Sequence, residues 1–455
     1  MSTPSAEPGS AAALGERLRV NLDALLAGSD VPRLLVAYSG GLDSTVLLHL
    51  LREYCVKPAL RLEAHHVDHA LQADSAGWAR RCADSAAKLG VPFSSQRLTQ
   101  SPPRGVSIEA WAREARYAAL LARCDARSAL VTAHHQDDQA ETVLLAALRG
   151  SGPHGLAAIR AAGEYHGCRV WRPLLNMRRD ELLAYAQALD LEWLEDPSNG
   201  EPRFARNRLR ATVLPLLERE FPGASKALAQ VAILQAEVVT VLDALADRVL
   251  DGSQVLELAL LRDCTPAMRP FLLKRWLARG GAVVPGRAQI AGLLDEALTA
   301  RHDALPVIAW HGCAVRRFKD RFYLTAAAVP PPAPDPQVWA APWSVLELPH
   351  GELRAAASDA PGLDRELLAN ATLTVRHRVG GERLRVHRTG PRRALKSLFQ
   401  EWGVPPWQRA SWPLLYIDEQ LAAVPGHAVA VEFRAADAES ALSFTWRPRA
   451  YSPHD

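Results

Sequence analysis

Two short stretches hold the residues whose types and spacing could do chemistry. The first is Ser39-Gly40-Gly41-Leu42-Asp43-Ser44. It follows an apolar run at 34–37, which predicts a buried strand, and precedes residues 45–51, which predict a helix. A Gly-Gly turn in that position lets main-chain N–H groups face one anion with the helix dipole behind them, so the segment predicts a phosphate site. It is no Walker loop, because G-x-x-x-x-G-K-[ST] is absent and no Lys follows the glycines. The second stretch is Ala133-His134-His135-Gln136-Asp137-Asp138-Gln139-Ala140-Glu141-Thr142, which opens an expected helix over 143–148 that Gly150 ends. Asp138 and Glu141 are three apart and share a helix face. Acidic residues at a helix start are ordinary dipole partners, yet two histidines and three carboxylates in eight residues exceed what capping needs. His-His-x-Asp-Asp is no established zinc spacing. Carboxylates aimed at a cleft would instead bind an ammonium group and accept its proton.

These stretches need a scaffold that brings them together. Residues from about 30 to 215 alternate strand-like runs, at 34–37, 60–66, 130–133 and 169–172, with helical patterns. That alternation predicts a parallel sheet with helices on both faces, and ligands of such sheets bind beyond the carboxyl ends of the strands. The hexapeptide, the segment His65-His66-Val67-Asp68-His69 and the His134–Asp138 cluster all fall at such ends and are expected to converge on one cleft.

The hexapeptide resembles the pyrophosphate loop (PP-loop) of ATP pyrophosphatases, which cut ATP between the α and β phosphates. The resemblance implies that Ser39, Ser44 and the main-chain amides of Gly40, Gly41 and Leu42 hold the departing pyrophosphate. It also implies that Asp43 helps to hold Mg²⁺, a hard cation suited to carboxylate and phosphate oxygen. The expected fold class is α/β: an N-terminal parallel-sheet PP-loop domain (adenine nucleotide α-hydrolase-like), a small helical domain and a mixed α+β C-terminal domain. The boundaries are read at 1–220, 221–328 and 337–455, with a stiff Pro-rich linker at 329–336. A hairpin is expected to turn at Lys319-Asp320.

The 455 residues exceed what one core supports. A hydrophobic content of 48% and a charged content of 23% are ordinary for a globular protein. The net charge of +3 does not by itself point to nucleic acid, but Arg far outnumbers Lys, and Arg can fork onto phosphate. The six cysteines, at 55, 82, 124, 168, 264 and 313, form no C-x-x-C pair, which argues against zinc and iron–sulfur sites and fits a reducing cytoplasm. The polar N-terminus has no apolar core of a signal peptide, and no run of eighteen apolar residues predicts a membrane span.

A closer resemblance runs along the chain. The second stretch looks like the H-H-x-x-D-Q-x-E-T signature of the tRNA(Ile)-lysidine synthetase family. Glu109-Ala110-Trp111-Ala112-Arg113-Glu114-Ala115-Arg116-Tyr117 resembles its E-x-x-A-R-x-x-R-Y segment, and Arg149-Gly150-Ser151-Gly152-Pro153-His154-Gly155-Leu156 its R-G-S-G-x-x-G-L loop. Arg172-Pro173-Leu174-Leu175 is similar to its R-P-L-L strand end. Asp196-Pro197-Ser198-Asn199 and Arg206-Asn207-Arg208-Leu209-Arg210 resemble its D-x-S-N and R-N-x-x-R elements. The resemblance implies a cytoplasmic ligase, monomeric or homodimeric. It would adenylate the C2 oxygen of the wobble cytidine in the CAU anticodon of an isoleucine tRNA, then let the ε-amine of L-lysine expel AMP. The codon read would change from AUG to AUA. On this resemblance Asp138 and Glu141 orient the lysine amine and His134 helps to deprotonate it. Arg113 and Arg206 would stabilise phosphate charge or hold the lysine carboxylate, and His65 would border the adenine largely through its backbone. ATP and Mg²⁺ are the implied cofactors, and no membrane is implied.

Between positions 376 and 396 there are eight Lys or Arg against the single acid Glu382, followed by Trp402, Trp407 and Trp412. The cations predict contact with RNA phosphates, whereas the tryptophans are read as core. The segment from Arg392 to Trp407 also resembles the family's K-K-x-x-x-E-x-x-V-P-P-W block. Three rivals share parts of this pattern. A thiolase on the same fold needs a sulfur-carrying cysteine or a cluster. A nitrogen-inserting synthetase needs an ammonia source, and no glutaminase-like domain is visible. A noncatalytic RNA binder on a decayed fold would not be expected to keep Asp43, Asp138 and Glu141 intact.

Overall fold

The computed structural model describes residues 8–55, 60–68, 75–99, 108–165, 167–195, 205–299, 305–328, 336–357, 362–437 and 439–452. The chain divides into two compact units, Met1–Val241 and Leu242–Asp455.

The first unit runs α1 (Pro8–Leu26), β1 (Arg33–Ala37), α2 (Leu42–Tyr54), β2 (Arg61–Asp68), α3 (Ser75–Lys88), β3 (Phe93–Arg97), α4 (Ile108–Leu121), β4 (Ser128–Val131), α5 (Gln136–Leu148), α6 (Pro153–Leu156), β5 (Ala162–Tyr165), β6 (Cys168–Trp171) and α7 (Arg179–Ala188). The sheet order is β3-β2-β1-β4-β6-β5. Strand β1 pairs in parallel with β2 and β4, with Val36 level with Ala64 on one side and Val131 on the other. β1 is central because both of its faces are apolar. Leu34 and Val36 join the core under α1, α2 and α7, while Leu35 and Ala37 join the core formed with Leu120, Leu130 and Val170. A strand covered on both faces reads as a continuous apolar run, which is why it was visible in sequence. Two edge strands were not. β3 is Phe-Ser-Ser-Gln-Arg, half exposed, and β5 is an exposed antiparallel strand on an otherwise parallel sheet. Edge strands need no apolar pattern to pair.

Beyond α7 follow α8 (Ala205–Arg208), a five-residue π-helical turn (Leu209–Val213), α9 (Leu214–Glu220) and α10 (Ala224–Asp247). Length and composition alone would let α10 cross a bilayer; it buries Ala229, Ala232, Val239 and Ala246 while Ile233, Leu234 and Val241 are exposed.

The second unit starts with β7 (Val255–Glu257), α11 (Leu258–Asp263), α12 (Arg269–Arg279), α13 (Arg287–Thr299), β8 (Val307–Trp310), β9 (Cys313–Phe318) and β10 (Arg321–Ala326). The region expected to be mostly helical therefore also holds an antiparallel sheet, β7-β10-β9-β8. The hairpin turns at Lys319-Asp320, with Lys319 at φ +53°. The Pro-rich segment 329–335 lies outside the described residues. The C-terminal region builds a five-stranded and a four-stranded antiparallel sheet around Trp339, Phe399, Trp412, Phe444 and Trp446.

His427 sits in this core, its ring 4.8 Å from that of Trp402 and nearly parallel to it, and 4.8 Å from Trp412. Burial pushes its pKa below the ordinary imidazole value. The unfolded chain takes up a proton near pH ~6.5 and the folded one resists it, so stability is complete above that pH and falls as pH drops through it. Urea unfolding is expected to show a lower midpoint at pH 5.5 than at pH 7.5, and His427→Phe is expected to flatten that difference. A variant that loses as much stability on acidification as the parent would remove His427 from the account.

Candidate active site

Because β1 lies between β2 and β4, the loops after these three strands are neighbours at the carboxyl edge of the sheet. Residues 39–44 link β1 to α2, with Gly41 as the N-cap. Gly40 has φ +80°, and a Cβ there would lie 2.6 Å from Cys82 Sγ and 2.8 Å from Leu194 Cδ1, so only glycine fits without displacing both neighbours. Its carbonyl accepts from Leu194 N at 2.8 Å and from Thr45 Oγ1 at 3.3 Å. Ser39 Oγ and Ser44 Oγ are 3.0 Å apart, and Ser44 Oγ also donates to Gly41 O at 3.0 Å. These hydroxyls hold the loop closed on itself.

The β4–α5 loop brings the carboxylates. His135 is the N-cap of α5 and is 1% exposed. Its Nε2 is 3.6 Å from Asp43 Oδ2 and 3.5 Å from Asp138 Oδ2, and its Nδ1 is 3.4 Å from Asp137 Oδ2. Burial opposes a charge on this ring, but Asp137, Asp43 and Asp138 outweigh it and raise the pKa to about 10. His135 is therefore a fixed cation at neutral pH, tying the hexapeptide to the acidic helix start. Asp43 Oδ1 is buried without a hydrogen-bond partner, with Arg179 Nε 3.7 Å away at the start of α7. Arg179 N in turn donates to Asp137 Oδ2 at 2.9 Å.

Asp138 and Glu141 share one face, as their spacing required. Asp138 Oδ2 accepts from His135 N at 3.0 Å, and its Oδ1 from Arg210 Nη2 at 3.2 Å. Glu141 is 0% exposed; its Oε1 accepts from Arg210 Nε at 2.7 Å, and its Oε2 is buried without a partner. Burial opposes the charge of Asp138, but the His135 cation, the His135 N–H and Arg210 overcome it and keep its pKa below the usual carboxylate value. For Glu141 burial wins and the pKa is raised, despite Arg210. The two carboxylates thus differ in basicity although they share a guanidinium.

The other expected residues lie around this centre. His134 Nδ1 is 2.8 Å from Thr132 Oγ1. Burial above all, with Arg172, Arg113 and Arg116 adding, lowers its pKa to about 3, so the ring is neutral and a weak base. Arg113 lies over the Tyr117 ring at 5.2 Å. Arg206 Nη2 donates to Thr142 Oγ1 at 3.2 Å. The His65 ring is turned toward β3, with Nδ1 2.8 Å from Ser94 Oγ, and its carbonyl accepts from Tyr38 N. Asn199 and the rest of the D-x-S-N element lie outside the described residues, as does His69. Sequence reasoning gave no separate role to His135, Asp137, Arg179 or Arg210. The first two and Arg210 stood inside quoted motifs, while Arg179 had no signal beyond following a strand end.

All six cysteines are free, and burial pushes Cys82 and Cys124 up to about 12 and Cys55 up to about 11. In the C-terminal region the expected cationic patch is half neutralised. Arg376 pairs with Glu419 at 2.6 Å, Arg378 with Glu382 at 3.3 Å, Arg392 with Glu432 at 3.3 Å and Arg393 with Glu401 at 2.6 Å. Arg383 and Arg385 donate to the main-chain oxygens of Arg392 and Gly390.

Comparison with known proteins matches residues 14–217 to a PP-loop domain, residues 256–323 to the TilS substrate binding domain and residues 373–446 to the TilS substrate C-terminal domain. A tRNA(Ile)-lysidine synthase of Alkalilimnicola ehrlichii is 39% identical over 88% of this chain and 91% of its own length. One of Methylococcus capsulatus is 37% identical over 95% of this chain and 100% of its own, and one of Xanthomonas campestris is 39% identical over 91% and 95%. With a phosphate loop, an acidic helix start and this similarity along nearly its whole length, the chain belongs to the tRNA(Ile)-lysidine synthase family of ligases.

Proposed function

We propose that the protein joins L-lysine to C2 of the wobble cytidine in the CAU anticodon of an isoleucine tRNA, changing the codon read from AUG to AUA. The cytidine C2 oxygen attacks the α-phosphorus of ATP and diphosphate leaves. The lysine ε-amine, having lost its proton, then attacks C2 and AMP leaves with the C–O electron pair. The observation that carries this reading is His135, which lies within 3.6 Å of both Asp43 and Asp138, so that the hexapeptide and the acidic helix start adjoin; this supports a pyrophosphate grip beside an amine-binding pair.

Ser39, Ser44 and the amides of Gly40, Gly41 and Leu42 hold the β and γ phosphates. The buried Oδ1 of Asp43, which accepts no hydrogen bond and has Arg179 Nε 3.7 Å away, is the kind of hard oxygen that Mg²⁺ takes, so Asp43 fits as its ligand. Bound there, Mg²⁺ supplies positive charge to the departing diphosphate. Asp138 and Glu141 orient the lysine amine. Because Glu141 is the more basic of the two, it is the better acceptor of the amine's proton. His134 stands beside this pair, and burial, with Arg172, Arg113 and Arg116 adding, makes its ring a weaker proton acceptor than Glu141. Arg206 and Arg113 border the cleft as phosphate or carboxylate partners. Residues 1–220 serve as the catalytic domain, and 221–328 and 337–455 hold the tRNA, in a cytoplasmic monomer or homodimer.

The test is direct. Incubated with ATP, labelled lysine and an isoleucine tRNA transcript bearing CAU, the protein should transfer label to RNA and release AMP and diphosphate. Absence of label on RNA under conditions that support ATP–pyrophosphate exchange would refute lysine as the nucleophile's source.

A further inference from the structure

We infer that Trp407 and the Gln254–Tyr451 pair lock the middle and C-terminal regions into a single tRNA-reading body, with Trp407 as a positioning residue for tRNA. This rests on the reading of the protein as a tRNA-modifying ligase.

The β9–β10 hairpin has two faces. Val315, Phe322 and Leu324 point into the middle core, while Arg316, Phe318 and Tyr323 share the other face, since Arg316 stands opposite Tyr323 and Phe318 lies two residues on. That second face is aromatic, yet Phe318 and Tyr323 are not exposed. It is covered by Trp407 from the C-terminal region. The Trp407 ring meets Phe318 edge-on at 6.2 Å and Tyr323 at 5.5 Å, and the Arg316 guanidinium lies 5.7 Å from its centroid. Arg316 is itself held by Thr325 Oγ1 at 3.1 Å and Ala327 O at 3.2 Å. Trp407 sits on a short 3₁₀ turn after Pro405, with Pro406 at its first position, and proline fixes φ, so the ring is presented from a stiff stem.

A second fastening is independent of the first. After the last strand, Ala441–Pro448, the chain leaves its own sheet and reaches the middle region. Gln254 Oε1 accepts from Tyr451 N at 2.5 Å, and Gln254 Nε2 donates to Tyr451 O at 2.8 Å. The Tyr451 ring packs on the middle core, and Gln254 O accepts from Leu324 N of β10. Both fastenings therefore grip the same sheet, and the division of the chain keeps residues 242–455 as one unit. Two RNA-binding surfaces held at a fixed spacing engage one RNA without the cost of ordering a linker, and the gain is lost when the spacing is free. The chemistry in the other unit is untouched by this.

In the full-length protein, the double variant Trp407→Ala/Gln254→Ala is expected to raise KM for tRNA about tenfold, with kcat and KM for ATP within about twofold of the parent. Trp407→Phe should restore KM in the Gln254 background, because the contact is made by ring faces and edges and the indole N–H has no partner. Hydrogen exchange should show faster exchange in residues 316–326 of the double variant only. A parental KM for tRNA in a double variant with exchange raised at the hairpin, or a Phe variant as impaired as Ala, would overturn the positioning role. Unchanged exchange would overturn the locking itself. If the Ala variants fail to fold, the double variant Trp407→Leu/Gln254→Glu, which keeps apolar bulk at 407 but loses the aromatic ring and the Nε2 donor, is read by the same KM split and exchange and decides between the same outcomes. Should the parent transfer no lysine to tRNA, the functional reading fails, while the exchange measurement still decides whether the two regions are locked.

Discussion

Asp43→Ala is expected to lower tRNA-dependent ATP–pyrophosphate exchange by about 10²–10³-fold, the usual loss when one charge-stabilising group is removed from a transferring centre. Asp43 is the residue on which three effects converge. Its Oδ1 is a buried acceptor at the loop that receives no hydrogen bond, its Oδ2 faces the His135 cation at 3.6 Å, and it stands in the first turn of α2, where a carboxylate also complements the helix dipole. Removing it leaves His135 and Arg179 without the carboxylate that both approach. Those cations would still attract ATP, so nucleotide binding should fall less than exchange. Equilibrium binding of ATP within about tenfold of the parent, together with lost exchange, supports a role in the chemical step. Asp43→Asn separates charge from shape: an Asn variant as slow as Ala assigns the effect to charge. Full exchange in the Ala variant would remove Asp43 from the site.

How far the site could be read in the sequence depended on how local each contact is. Residues 39–44 and the pair Asp138/Glu141 were legible because a turn and an i,i+3 spacing fix their geometry within a few residues. Their meeting was legible too, since a doubly covered strand such as β1 must lie inside the sheet with its neighbours' loops alongside. The charge balance was not legible. His135 was read with His134 as one of two similar imidazoles, yet burial and three arginines leave His134 neutral while three carboxylates hold His135 charged. Arg210 reaches Glu141 from 69 residues away and Arg179 approaches Asp43 from a different helix, and no periodicity reports such a contact. The pairing within the C-terminal patch was hidden for the same reason. Glu401, Glu419 and Glu432 lie outside the counted window and fold back onto its arginines.

Glu141→Gln and Asp138→Asn are expected to leave tRNA-dependent ATP–pyrophosphate exchange within about tenfold of the parent while lowering lysine transfer by about 10²–10⁴-fold, the range for loss of a positioned proton acceptor. Adenylated RNA should then accumulate. Asparagine is the informative replacement at 138, because Asp138 Oδ2 also accepts from His135 N in the capping box of α5. Alanine would add a lost cap of about 1 kcal/mol to the lost charge, whereas Asn keeps the acceptor. At 141 the argument turns on net charge. Two carboxylates and the Arg210 guanidinium leave the trio one negative charge when all are ionised, so an arriving ammonium meets one unit of attraction rather than two. Glu141→Gln removes that unit and leaves the amine facing a neutral site. Asp138→Asn does the same in charge but spares the more basic oxygen, so the Gln variant should be the slower of the two. Arg210→Ala is the complementary probe. It leaves Glu141, at 0% exposure, without the guanidinium that pairs with it at 2.7 Å, and a buried carboxylate that loses such a partner takes up a proton more readily. Its lysine transfer should therefore shift toward higher pH, while Glu141→Gln shows no such shift. Equal loss of exchange and transfer in the Gln and Asn variants would refute the assignment of these acids to the amine.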